Sequence, residues 1–88
     1  MRHQIDAHQV HWRRAGDELL VLHLPSSRYL QLNATAGVLW DAVVEGATTE
    51  ELEALLRTTY EIDEAQASAD VDAFLRSLRD GGLLATSS

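Results

Sequence analysis

The side chains with chemistry to offer are four histidines, several acid clusters and six serines. His8 and His11 stand three apart, which on a strand points them to opposite faces, so they do not share a metal. His3 is expected on a mobile terminus and His23 on a strand. No H-E-x-x-H pattern occurs. Glu50-Glu51 and the group Glu61, Asp63 and Glu64 fall at expected helix starts, where negative charge suits the helix dipole. Asp70 and Asp72 fall inside a helix, either on a solvated face or with one of them paired to a basic ligand residue. Ser26, Ser27, Ser68, Ser77, Ser87 and Ser88 have no G-x-S-x-G setting, and no glycine-rich phosphate loop is present. Cysteine is absent, which removes thiolate catalysis, thiolate metal sites and disulfides. No catalytic constellation, metal site or cofactor site emerges, and the reading is a binding module rather than an enzyme.

Charge narrows the partner. Net charge is −7. Residues 1–33 hold four arginines against three acids; residues 34–88 hold three against eleven, and lysine is missing altogether. Nucleic-acid binding needs cations to neutralise phosphates, so a basic peptide suits this chain better. The start, MRHQIDAHQV, lacks the apolar stretch of a signal peptide. The run Leu19 to Leu22 is too short to span a bilayer. A cytoplasmic protein without membrane contact is expected.

The elements that must position these residues fall in two blocks. Eighty-eight residues make one domain, residues 1–88. Strands are expected within 9–32 and helices within 34–80. Val10 and Trp12 alternate with His11 and Arg13, a period of two. Ala15-Gly16-Asp17-Glu18 supplies a turn. Leu19 to Leu24 carries apolar residues on both sides and reads as a strand covered on both faces. Pro25-Ser26-Ser27 breaks it, and Arg28 to Leu32 follows as a third strand of an antiparallel meander. Asn33 can cap a first helix with Val38, Leu39, Ala42 and Val43 at helical spacing. Gly37 inside it is either a tolerated defect or a point of close approach by the third strand or third helix. Gly46 stops this helix. Thr48 and Glu51 form a capping box for a second helix, and Asp63 and Gln66 for a third. In the third, Ala67, Val71, Phe74, Leu75 and Leu78 line one face. Strands first and helices after argue α+β, a three-stranded meander followed by a three-helix bundle, winged-helix-like in outline.

From Tyr29 to Leu84 the chain resembles the PqqD-like family, also called RiPP recognition elements. The matching pieces are Leu32-Asn33, Thr35-Ala36-Gly37, Leu39-Trp40, Gly46 through Leu52, Asp70-Val71, Phe74-Leu75, Leu78 and Gly82-Leu83-Leu84. A chain of this length is most similar to the small leader-binding proteins of lasso-peptide biosynthesis. The resemblance implies that the leader of a ribosomally made precursor peptide adds as a strand beside the third strand, in the groove against the third helix. It also implies presentation to a separate leader peptidase, followed by a cyclase. Arg28, Tyr29, Leu30, Gln31 and Leu32 would then supply the receiving edge, with Val71 and Phe74 as pocket walls and Asp70 at the rim. Leu30, Val71 and Phe74 also fit the core pattern, so their exposure to the groove stays open. A free edge invites self-pairing too, leaving monomer and weak dimer both open. The rival readings are a PqqD-type chaperone beside a radical SAM enzyme, a winged-helix DNA-binding domain and a histidine metal-binding protein.

Overall fold

The computed structural model describes residues 2–84; Ser87 and Ser88 lie outside the described residues. The element order is β1 (Arg2–His3), β2 (Val10–Ala15), β3 (Glu18–His23), β4 (Arg28–Leu32), α1 (Ala34–Glu45), β5 (Ala47–Thr48), α2 (Thr49–Tyr60) and α3 (Glu64–Asp80). The α+β meander and the three helices after it stand where the sequence places them.

Turn chemistry sets the meander. Gly16 takes φ +66° between β2 and β3, and Ser27 takes φ +56° before β4. Both are left-handed positions, which glycine adopts freely and serine at some cost. The sheet order is β2-β3-β4, antiparallel throughout. Leu19 pairs with Leu32 and Val21 with Leu30, which puts these four side chains on the helix-facing side. Leu19 and Val21 are fully buried there.

Each helix starts with a side-chain oxygen taking an orphan backbone N–H. Ala36 N–H donates to Asn33 Oδ1 at 2.8 Å. Thr48 and Glu51 form the reciprocal box of α2, and the Thr48 N–H holds the Glu51 carboxyl below the usual carboxylate range. The box expected at α3 is one-sided. Gln66 N–H donates to Asp63 Oδ1, but the Gln66 amide reaches forward to Asp70 Oδ1 at 2.8 Å.

The core joins the inner sheet face to all three helices, with Trp40, Leu39 and Val43 from α1, Leu52 and Leu56 from α2, and Ala67, Val71, Phe74, Leu75 and Leu78 from α3. Leu83 folds back into it after Gly81-Gly82.

Three expectations are corrected. His3 is not on a loose end: it pairs with Ala47 in a two-stranded ribbon, and its Nε2 lies 2.9 Å from Thr49 Oγ1. The middle strand is not covered on both faces, because Leu19 and Val21 are buried on the helix-facing side while Leu20 and Leu22 stay half-exposed on the other. The element closest to Gly37 is neither the third strand nor the third helix. A Cβ there would stand 3.4 Å from the Arg14 guanidinium, which reaches from β2 to pair with Asp41.

No helix among the described residues is long and apolar enough to cross a membrane.

Candidate functional site: an open strand edge beside a cleft

β4 has β3 on one side and, among the described residues, no strand on the other. The described part of the amino-terminal arm does not cover that edge. Arg2 and His3 pair with Thr48 and Ala47, and Ile5 bridges to Leu84. An uncovered edge carries a row of unpaired N–H and C=O groups.

Two adjoining depressions run beside this edge. The first holds about 350 Å³. Its strand wall is Gln31 and Leu32, its end is Asn33, Thr35, Ala36 and Leu39 from the start of α1, and its far wall is Asp70, Ala73, Phe74 and Ser77 of α3. The second, about 380 Å³, continues along Arg28, Tyr29 and Leu30 toward Asp80, Gly81 and Leu83, with Val21 and His23 beneath. Ser77 borders both. The cleft therefore follows the whole length of β4.

The geometry sorts the sequence-expected residues. Leu30 and Leu32 face the helices; Leu30 is half-buried and Leu32 is 5% exposed. Tyr29 and Gln31 share the opposite face, and Tyr29 is 74% exposed. Phe74 is 5% exposed and presents its remaining surface to the first depression. Val71 reaches neither depression: it has no exposed surface and supports the wall from inside the core. Asp70 is half-buried at the rim. Asp72 points elsewhere and pairs with Arg76 at 2.7 Å.

Sequence reasoning missed Ala36, Leu39, Ala73 and Ser77. The signal existed on α3, since Asp70, Ala73, Phe74 and Ser77 recur at i, i+3, i+4 and i+7, one stripe of a helix. Small residues at two of those positions keep the cleft open.

Among the described residues no group of three or more His, Cys, Asp or Glu is placed to hold a metal. The histidines lie apart: His3 on β1, His8 in a turn, His11 on the outer sheet face, and His23 beside Ser26 at 2.7 Å.

A search of curated proteins gives no match. The chain is similar to a solved structure described as TbiB1 in complex with the TbiA(beta) leader peptide, at 28% identity and TM-score 0.85, covering 97% of this chain and 98% of that one. It shares its fold with lasso peptide synthetase B1 complexed with the leader peptide, at 23% identity and TM-score 0.78, covering 89% of this chain and 92% of that one. The family model for coenzyme PQQ synthesis protein D (PqqD) matches residues 18–84. With that match running from the second strand of the meander to the folded-back carboxy-terminal leucines, the chain belongs to the PqqD family.

Proposed function

We propose that this chain binds the leader segment of a ribosomally made precursor peptide in lasso-peptide biosynthesis, by β-strand addition to β4, and delivers it to a leader peptidase. The observation that carries this reading is the edge of β4, unpaired among the described residues on the side where the cleft opens. The 28%-identical relative, solved with a leader peptide, supports it.

Magnitudes say how binding must work. Four or five backbone hydrogen bonds at about 1 kcal/mol net each give roughly 4–5 kcal/mol. Ordering a flexible peptide costs about 2–5 kcal/mol. Backbone pairing alone therefore sits near zero, and affinity comes from apolar side chains, at roughly 1.5–3 kcal/mol for each one buried. The two depressions receive them. Leu32, Leu39 and Phe74 in the first and Leu30 and Leu83 in the second offer the apolar contact.

The role needs no reacting group in this chain, only a held peptide. Specificity for a cation comes from Asp70.

Fluorescence polarisation with the labelled leader of its cognate precursor peptide tests the reading. Wild type binds. Ala73→Trp fills the cleft from an exposed helix position, and the leader affinity falls at least tenfold while the melting temperature holds. Gln31→Pro, which removes a strand N–H, weakens binding if that N–H faces the leader. Full affinity in Ala73→Trp would remove the cleft from the binding site. The family description favours a second reading, a PqqD-type chaperone for the precursor of a redox cofactor. Competition between the two kinds of precursor separates them.

A further inference from the structure

The face of the sheet turned away from the helices is built unlike a solvent face. An antiparallel sheet with one open side normally alternates apolar inward and polar outward. Here the register makes two rows across the outer side, His11–Leu22–Tyr29 and Arg13–Leu20–Gln31. Leu20 and Leu22 are half-exposed at its centre and Tyr29 is 74% exposed. These residues border a shallow depression of about 280 Å³. Arg13 is exposed and has no carboxylate partner among the described residues, whereas its neighbour Arg14 is tied to Asp41 on the inner side. The carboxylate of this face, Glu18, lies at the hairpin end, beside Ala15.

We propose that this outer face of β2-β3-β4 is the docking surface for the processing enzyme, which meets it with an apolar patch bordered by carboxylates. The proposal rests on the leader-binding reading. Three observations choose this occupant. Arg13 and His11 flank the apolar centre, in the one stretch of an acidic chain where arginines outnumber acids. Three strands about 4.8 Å apart and about 20 Å long offer roughly 300 Å², against roughly 800 Å² per partner in a stable complex. A second copy stacked here would bury too little to persist as a stable dimer. The face is also continuous with the peptide site, because Tyr29 and Gln31 belong to β4. A peptide added to that strand turns alternate side chains onto this same side, enlarging the face only when the precursor is present. A small surface completed by the substrate fits an enzyme that must arrive, act and leave.

The test uses the full chain, the precursor it binds and the leader peptidase that cleaves that precursor. Arg13→Glu and Leu22→Thr change the face without touching the cleft. Each lowers precursor cleavage at sub-saturating peptidase at least fivefold, while leader affinity by polarisation stays within twofold and circular dichroism is unchanged. Arg13→Lys retains cleavage. Unchanged cleavage in both variants overturns the proposal. So does a parallel loss of leader affinity, which would assign the face to peptide binding, or a wild-type dimer in sedimentation that Arg13→Glu dissociates. A wild-type chain that fails to bind the labelled leader sinks the leader-binding reading itself, and that arm is read separately.

Discussion

Asp70 stands half-buried at the cleft rim, with the Gln66 amide as its hydrogen-bond partner and no ion-pair partner among the described residues. A leader that brings a Lys or Arg to this point gains a pair worth up to about 1 kcal/mol, screened by salt. Asp70→Asn is expected to weaken such a leader about threefold and to flatten the salt dependence of binding, both read by polarisation in a salt series. Phe74 is a poorer probe than its place in the sequence pattern promises. It lines the cleft but is almost wholly buried, so Phe74→Ala costs about 3–5 kcal/mol of stability, enough to confound a binding assay in a small domain. Gly37 gives a prediction of opposite sign. Its nearest neighbour beyond the local helix is the end of the flexible Arg14 side chain, 3.4 Å from an added Cβ. Gly37→Ala therefore keeps most of the helix-propensity gain, about 0.5–1 kcal/mol, and raises the melting temperature.

At the scale of elements, caps and short pairings hold the frame in which the cleft sits. Thr48 ends β5 and caps α2, accepting from the Glu51 N–H at 3.1 Å. Thr48→Ala should cost about 1 kcal/mol in denaturant unfolding. The β1–β5 ribbon carries a titratable group in His3, whose Nε2 lies 2.9 Å from Thr49 Oγ1. Burial disfavours its charged form and Arg79 adds to this, so its pKa lies below the ordinary 6.5. A histidine held neutral in the folded state stabilises above its unfolded pKa, and that contribution is lost as pH falls through the folded one. The protection factor at the β1–β5 pairing, with the intrinsic pH dependence of exchange divided out, should fall between pH 7 and pH 5, and His3→Gln should blunt the change. An equal fall in His3→Gln would place the titrating group elsewhere.

At the scale of the whole molecule, residues 2–6 and 83–84 are held together and away from the open edge of β4. Ile5 is 4% exposed, its N–H donates to the Val43 carbonyl at 3.3 Å, and the Asp6 N–H donates to the Leu83 carbonyl at 3.2 Å. Ile5→Ala is expected to lose about 2–4 kcal/mol, measured by urea unfolding. That arrangement keeps the arm off β4. In a chain this small, an arm laid on β4 would have closed the edge that the proposed function requires.

Local signals sufficed for the meander, the helix starts and the apolar face of α3. Gly16, Asn33, the Thr48–Glu51 box and the 67–78 periodicity act within a few residues, and their physics is written in neighbouring letters. Long-range choices were not so written. Where Arg2 to Ile5 pair, that Val71 is sealed while Asp70, Ala73 and Ser77 border a cleft, and that Leu20 and Leu22 face away from every helix all depend on which surfaces meet after collapse. An apolar residue on a period of two or 3.6 marks a face to be covered; only the packed molecule decides whether its own chain covers it or leaves it for a partner.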